Sequence, residues 1–386
     1  MVKMKFTALL YVLFLACLFL SCYSEKEDKP EAPMSLNAAP IAASLIYEET
    51  ARFLAGKPLD ASSSLYEKAS NDFYKKYAAE ISEGWRKFQS PNLEKMRLWW
   101  KDHAVKRSEK NILYPFSGPD IMNVLAFFPD GDTYTLFGLE PPGAIPDPHS
   151  MNEKQISDGF NKIRQSLNSI LRMNFFHTKH MAVDLGTDSF NGITGLIMLF
   201  LVQEGYTVSD VRKVTVSDEG DLVAFDVTGK HPVHGVEISF RKGNGKLQIV
   251  RYFMVNVLDY FLETKTPNFI PYIAKGEPYC TFLKSASYLM HNPARYSKIR
   301  TAVLTLSSSV VQDDSGIPFR SFLPEEWDVA LHGVYTKPIK LFEKLAQPDL
   351  RKAMKEKSSG VLPFSYGYNH RQEQSNLLIA EKKQPF

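Results

Sequence analysis

From residue 111 onward, short apolar runs alternate with helical patterns, and this order limits the fold more than any other feature of the chain. The run NILYPF (residues 111–116) has the composition of a buried strand, residues 121–128 follow as a helix, and residues 134–140 form a second strand. A strand, a helix and a strand in this order make a βαβ unit. The pattern predicts an α/β fold with a Rossmann-like βαβ start.

Two further stretches shape the sheet. Residues 222–258 contain three β-rich runs separated by turn residues, and KGNGK (residues 242–246) is typical of a hairpin connection. Antiparallel strands beside a βαβ unit predict a mixed β-sheet with flanking helices. The ten residues from 193 to 202 are apolar on every side, but they are too few to cross a bilayer, which takes roughly 20. We expect them to form a buried helix.

Residues 41–110 show helical periodicity and predict an N-terminal helical subdomain, followed by an α/β domain at 111–386. One predicted helix begins at a capping box of Ser64 and Glu67, and another begins at Ser90-Pro91. The first of these helices carries an apolar residue every four positions, namely Leu65, Ala69, Phe73, Tyr77, Ile81 and Trp85.

The N-terminus has the pattern of an export signal. Two lysines precede fifteen uncharged residues, and a small residue precedes Cys22. This pattern predicts a lipoprotein signal peptide at 1–21 and lipidation of Cys22, with Cys17 as a weaker alternative and a plain secretory signal as another. Residues 22–40 are rich in charge and proline, which predicts a disordered tether.

The charge balance limits the partners. The chain has 46 basic and 43 acidic residues, and two of the basic residues, Lys3 and Lys5, lie in the signal segment. The net charge of the mature chain is therefore about +1, which argues against nucleic acid as a partner. The predicted partners are a membrane, through the lipid at Cys22, and an unidentified protein or small-molecule ligand. Cys280 would be the one free thiol, and we expect it to be buried and unreactive.

Five short sequence motifs, taken together and in order, resemble those of a protein family. YPFSGPD, GLEPPG, KSASYLMH, QDDSGIPF and SYGYNHRQEQSNLL together resemble an uncharacterised family of secreted or lipid-anchored bacterial proteins, over most of residues 41–386. The resemblance implies a shared fold and a location in the cell envelope. The family has no assigned activity, so the resemblance implies no catalytic residue.

The loop after the first predicted strand is a candidate binding site. It contains Ser117 and Asp120, and Glu140 lies 22 residues after Gly118, near the interval at which dinucleotide-binding folds place a ribose-binding acid. The loop has one glycine instead of three, and an exported protein has no ready supply of such cofactors, so we predict no cofactor. In the simplest interpretation Ser117 or Asp120 caps the following helix. Alternatively, Asp120 acts as a base or a ligand.

A second candidate is QDDSGIPF, in which Asp313 and Asp314 are adjacent. The pair is predicted to follow a helix that carries Ile299, Val303, Leu306 and Val310. Two neighbouring carboxylates can bind a cation, or one of them can have a raised pKa and serve as an acid or base. They can equally form a helix exit, with Gly316 supplying the turn.

Histidines and serines suggest two further sites. The pairs His177/His180 and His231/His234 have the spacing HxxH, but both segments are predicted to be extended, so each pair would point to opposite faces, and we predict no metal site. KSASYLMH offers Ser285, Ser287 and His291 without the glycine-flanked elbow of serine hydrolases.

These observations favour a cell-envelope lipoprotein that binds a ligand or partner without catalysis. The alternative is a hydrolase with an aspartate-based site at the carboxyl ends of the strands, in which Asp120, Asp313 and Asp314 meet a histidine. If these carboxylates meet in one pocket with a shifted pKa, the hydrolase is favoured, and if they lie apart as caps, it is disfavoured.

Overall fold

The structure is a computed structural model that describes residues 40–106, 109–173, 190–228, 232–368 and 372–383. The predicted signal peptide, Cys22 and the predicted tether up to residue 39 lie outside these ranges. Within them, the expected mixed α/β fold is confirmed: a ten-stranded sheet carries helices on both faces, and the N-terminal region is helical.

The sheet has a parallel centre and antiparallel flanks. Its order is β4-β3-β5-β6-β2-β1-β7-β8-β10-β9, and the five strands from β6 to β8 are parallel to one another. The strands are β1 (Asn111–Pro115), β2 (Thr133–Gly138), β3 (Thr207–Val216), β4 (Leu222–Ala224), β5 (His234–Arg241), β6 (Gln248–Met254), β7 (Tyr279–Leu283), β8 (Ser307–Gln312), β9 (Trp327–Gly333) and β10 (Asn376–Lys382).

The helices form two layers. Their bounds are α1 (Pro40–Leu54), α2 (Tyr66–Ser70), α3 (Asp72–Phe88), α4 (Lys95–His103), α5 (Ile121–Phe127), α6 (Glu153–Met173), α7 (Thr194–Gln203), α8 (Asp259–Thr264), α9 (Phe269–Ala274), α10 (Ser297–Leu306) and α11 (Pro348–Lys357). Helices α1 and α3 to α7 share a hydrophobic core with one face of the sheet, and α8 to α11 share a second core with the other face. No helix in the described ranges is both long enough and apolar enough to span a membrane.

The continuous apolar runs are explained by burial on both sides of an element. In β1, Ile112 and Tyr114 point into the first core while Leu113 points into the second, so no face of this strand meets solvent. Helix α7 is buried along its whole length, as its unbroken apolar sequence indicates. The predicted hairpin at KGNGK joins β5 to β6.

The long helix predicted from Leu65 to Trp85 is wrong in its first part. The chain leaves the helical conformation at Asn71, whose side chain accepts from the Tyr74 backbone N–H at 2.8 Å and so caps a new helix, α3. Phe73 is consequently 38% exposed, whereas Tyr74 is buried. The box of Ser64 and Glu67 supplies no side-chain cap to α2, and the Ser64 hydroxyl bonds to His149 Nδ1 at 2.9 Å instead.

The start predicted at Ser90-Pro91 is also wrong. Residues 89–94 form a π-helical segment between α3 and α4, so the chain stays helical through the proline. At a π segment the hydrogen bonds are re-spaced, which tolerates a residue without a backbone N–H.

The segment before Asp313 is a strand and not the end of a helix. Helix α10 ends at Leu306, and residues 307–312 form β8, all of them buried. Its serines find partners in β7: Thr281 and Ser307 hydroxyls lie 2.7 Å apart, and Ser309 Oγ donates to Cys280 Sγ at 3.0 Å. Asp313 and Asp314 therefore lie at the carboxyl end of a parallel strand.

Candidate functional site

The carboxyl ends of five neighbouring parallel strands lie at one edge of the sheet, which we call the carboxyl edge. In open α/β sheets, ligands bind outside this edge. The segments that follow β1, β7 and β8 bring Asp120, Lys284 and the pair Asp313-Asp314 to it.

Asp120 is the N-cap of α5, as one of the two sequence interpretations expected. Its Oδ1 accepts from the backbone N–H of Asn123 at 3.2 Å and from the side-chain amide of the same residue at 2.8 Å. Its Oδ2 accepts from the Tyr114 hydroxyl at 2.9 Å and lies 3.2 Å from Lys284 Nζ. Both oxygens are thus occupied by groups of the protein, and the carboxylate is buried.

Asp313 holds two turns together. Its Oδ1 accepts from the backbone N–H of Ser315 at 3.1 Å and from the Ser315 hydroxyl at 2.5 Å, while its Oδ2 accepts from the backbone N–H of Ser285 at 3.1 Å. Burial raises the pKa of Asp313, and the hydrogen bonds from Ser315 and Ser285 act in the opposite direction. A methyl group at Gly367 would lie 2.0 Å from Oδ2, so the backbone of this glycine covers the carboxylate.

Asp314 joins β8 to β10. Its Oδ1 accepts from the Asn376 amide at 2.8 Å, and its Oδ2 accepts from the Tyr288 hydroxyl. Burial and the neighbouring Asp313 raise the pKa of Asp314 to about 7, against the lowering effect of these two hydrogen bonds. A carboxyl group with this pKa can exchange a proton near neutral pH.

The three aspartates converge on a shared set of side chains. The hydroxyl pKa of Tyr114 is raised chiefly by burial and further by Asp120 and Asp313, and the same two carboxylates act on Tyr366. Lys284 pairs with Asp120 and electrostatically favours the charged form of Asp313. The carboxylates therefore meet in one network. All of them are buried, and none of the hydrogen bonds described at them comes from a histidine.

Ser117 and Glu140 lie at the same edge with internal partners. The Ser117 hydroxyl donates to the backbone oxygen of Gly118 at 2.9 Å, so Asp120 alone caps the helix. Glu140 folds back over the end of β2, where its Oε2 accepts from the Tyr252 hydroxyl at 3.2 Å. A methyl group at Gly138 would lie 2.6 Å from that Oε2 and 3.4 Å from Gly118 N, which places Glu140 beside the first loop.

Backbone strain is concentrated at this edge. Five non-glycine residues in the described ranges have positive φ, and four of them follow β1 or β7: Phe116 (59°), Ser285 (53°), Ser287 (55°) and Tyr288 (53°). The left-handed conformation is unfavourable for residues with a Cβ, and such strain is frequently retained at functional sites. Three of these four residues follow β7, so the left-handed backbone is concentrated at the corner after that strand.

Ser285 occupies that corner. The residue is half-buried, and within the described part of the chain its Oγ is enclosed without a hydrogen-bond partner. Tyr368 lies against the same turn, because its hydroxyl donates to the Ser285 backbone oxygen at 2.8 Å and lies 2.6 Å from Ser287 Oγ. Ser287 and His291 would lie one turn apart on a helix, but Ser287 and Tyr288 are left-handed and only a 3₁₀ turn follows.

In the ranges that the structure describes, no group of three or more His, Cys, Asp or Glu side chains is placed to hold an ion. His177, His180 and His231 lie outside those ranges, and His234 opens β5 and packs against Phe225. Cys280 is buried, and burial raises the pKa of its thiol to about 11.

Sequence reasoning missed Lys284, which binds the cluster together. A lysine that directly follows the apolar run YCTFL would have been a usable signal, because a cation that ends a buried parallel strand must find an anion at the carboxyl edge. The tyrosines of the network carried no such signal, since buried tyrosines are common in cores.

Two cavities lie away from the carboxyl edge, among the helices. A cavity of about 570 Å³ lies between α3 and α6 above α7, and a smaller one of about 180 Å³ continues along the same helix pair. Arg164 lines both, and no residue of the carboxylate network lines either.

No protein-family model matches the chain, and comparisons with curated proteins and with solved structures find no match.

Proposed function

We propose that this chain is a lipid-anchored protein of the bacterial cell envelope that binds a ligand without converting it. The anchoring rests on the signal pattern of residues 1–21, on Cys22, and on the resemblance to secreted and lipid-anchored proteins.

One observation carries the non-catalytic part of the proposal. Each of Asp120, Asp313 and Asp314 has both carboxylate oxygens bonded to protein groups, and each side chain is buried. A general base must come within hydrogen-bond reach of the proton that it removes, directly or through one water. Carboxylates that cap a helix and join neighbouring segments stabilise the fold, and they leave ligand binding to other surfaces.

A hydrolase at the carboxyl edge is the second candidate, and two observations favour it. Ser285 is a left-handed residue at the end of a parallel strand with a hydroxyl that has no described partner, a placement similar to that of nucleophiles on a strand-to-helix turn. Asp314 has a pKa of about 7, within the useful range for acid–base catalysis.

Labelling with a fluorophosphonate, which reacts with activated serines, separates the two candidates. We expect the full chain to remain unlabelled, and Ser285→Ala to be indistinguishable from it. The matched control is Ser287→Ala, two residues away on the same turn. Labelling that disappears in Ser285→Ala and persists in Ser287→Ala would replace the binding proposal with the hydrolase.

Anchoring is tested by growing the producing cells with labelled palmitate. We expect the label in the wild-type protein and in Cys17→Ser, and its loss in Cys22→Ser. If the label is lost in Cys17→Ser instead, the lipidated residue is Cys17. An unlabelled wild type would exclude lipidation.

A further inference from the structure

The cavity between α3 and α6 has an apolar floor and a charged rim. Its floor consists of Ile81, Trp85, Leu167 and Leu199, all of them buried. A volume of about 570 Å³ falls within the range of roughly 300–1,000 Å³ that is typical of small-molecule pockets. The apolar floor indicates that the bound part of the ligand is hydrocarbon.

Trp85 contributes a hydrogen-bond donor without a described acceptor to this floor. Its side chain is 5% exposed, and its Nε1 has no hydrogen-bond acceptor in the part of the chain that the structure describes. An indole N–H is a donor only, and buried donors without an acceptor are unfavourable. Because Nε1 is enclosed in the unliganded protein, a ligand oxygen would gain this hydrogen bond by a shift of the Trp85 ring towards the cavity.

The rim carries balanced charge. Arg164 on α6 and Glu80 on α3 form a bridge of 2.8 Å across the opening, and Lys87 pairs with Glu83 at 3.1 Å. An anionic head would have to compete with carboxylates that are already paired. A neutral or zwitterionic head can lie beside both signs of charge without displacing either partner.

The smaller cavity extends the space along the helices. It lies beyond Arg164 and is lined in part by Phe73 and Tyr77, and Phe73 is 38% exposed. Because the two cavities follow each other along α3 and α6, they fit an elongated ligand better than a compact one. The polar side chains of the lining, Glu80, Glu83, Lys87, Arg164 and Gln165, surround the apolar floor, so the polar part of a ligand would lie at the rim.

We propose that this cavity binds a single-chain amphiphile. Its acyl chain lies on the apolar floor, its carbonyl oxygen accepts the Trp85 N–H, and its neutral or zwitterionic head lies beside the bridge between Glu80 and Arg164. The inference rests on the proposed function as a non-catalytic binding protein, and it names the site and the ligand class.

The test uses the mature chain, without residues 1–21 and with Cys22→Ser, purified without detergent, and calorimetric titration with a dodecanoyl lysophosphatidylcholine below its micelle concentration. We expect binding of one lipid per chain. The ether-linked lipid, which lacks the carbonyl, should bind about 2- to 12-fold more weakly, the effect of losing one hydrogen bond. Trp85→Phe should weaken the ester lipid by the same factor and leave the ether lipid unchanged.

Two further variants control for folding. Gly84 lies on α3 and lines the cavity, so Gly84→Leu occupies the space with a better helix former and should abolish binding without lowering the unfolding midpoint. Trp327→Phe makes the same substitution as Trp85→Phe at a buried tryptophan in the other core, and it should leave the affinity unchanged.

The outcomes separate this inference from the proposed function. Absence of lipid binding would overturn the ligand class and leave non-catalytic binding intact. Binding that survives Gly84→Leu would overturn the site. Release of dodecanoate from the ester lipid would overturn the proposed function itself, because the lipid would then be a substrate.

Discussion

Lys284 and Asp120 form an ion pair that joins the end of β7 to the start of α5, with Nζ 3.2 Å from Oδ2 and each side chain 1% exposed. The pair links two βα connections that are 164 residues apart in sequence. Because both charges are removed from water, the fold depends on each partner to compensate the other.

Removing the cation alone should be strongly destabilising. Lys284→Met leaves Asp120 charged and buried, and we expect a loss of about 3–5 kcal/mol in the free energy of unfolding, measured by urea denaturation at pH 7. The double variant Lys284→Met/Asp120→Asn should be more stable than Lys284→Met, since asparagine keeps the cap acceptor without the charge.

The matched control is Lys246→Met, which breaks an exposed pair with Asp132. A surface pair of this kind contributes about 0–1 kcal/mol. If Lys284→Met costs no more than this control, the buried pair does not stabilise the fold.

Relief of strain at the corner after β7 should stabilise the protein. Ser285 has a φ of 53° and an Oγ without a partner in the described ranges, so glycine loses no described side-chain hydrogen bond and gains conformational compatibility. We expect Ser285→Gly to raise the free energy of unfolding by about 1 kcal/mol.

Ser285→Ala is the control for this prediction, because it removes the hydroxyl and keeps the Cβ. It should stay within about 0.5 kcal/mol of the wild type. Equal effects of alanine and glycine would show that the left-handed backbone is not the cause.

The raised pKa of Asp314 predicts a loss of stability with rising pH. The folded protein holds this proton up to about pH 7, whereas an unfolded aspartate releases it near 3.8. The folded state therefore binds more protons between these values, and the stabilisation present below pH 4 is lost as the pH rises towards 7. Asp314→Asn should remove this dependence and be more stable than the wild type at pH 8.

The measurement is the difference in unfolding free energy between wild type and Asp314→Asn at pH 5 and at pH 8. The difference isolates one group from all others that titrate in the same range. A difference that does not change with pH would mean that Asp314 is ionised throughout.

The titration of His332 should have the opposite effect on the pH dependence of stability. Burial, and then the neighbouring His103, lower its pKa to about 4, so the unfolded state binds more protons between pH 4 and 6.5. Stability is therefore lost as the pH falls from 6.5 towards 4. His332→Gln should reduce this loss, because glutamine can replace the bond to Ser359 without titrating.

Trp99 gives a local readout for that transition. Its ring lies 4.9 Å from the His332 ring and stacks on His103 at 4.0 Å. The acid-induced change in tryptophan emission should be smaller in His332→Gln than in His149→Gln, which replaces a half-buried loop histidine that also bonds to a serine. Equal changes would place the titrating group elsewhere.

The parts of the fold that local patterns determine were predictable. The apolar helix α7, the β5–β6 hairpin and the cap at Asp120 each follow from residues that are neighbours in sequence. Strand β8 was not predictable, because Ile299, Val303 and Leu306 continue in helical spacing to Val310. What ends the helix is the row of serines in β8, whose hydroxyls bond to β7, and those partners lie almost 30 residues away.

In the candidate site, too, the residues could be identified from local sequence but their distant partners could not. Asp313 and Asp314 were identified, but their roles depend on Ser285, Tyr288 and Asn376, which only the folded sheet brings near. The unpaired N–H of Trp85 was equally hidden, since the four-residue spacing that buries its ring says nothing about an acceptor for its nitrogen.

The position of β10 has a consequence for how the chain completes its fold. This strand is formed by residues 376–382 and pairs with β8 on one side and β9 on the other, and β9 has no other partner among the described strands. Residues 327–333 thus have no template to pair with until a segment more than forty positions later has been delivered. Until then β8 remains an open strand edge, and residues 376–382 cover it when they pair.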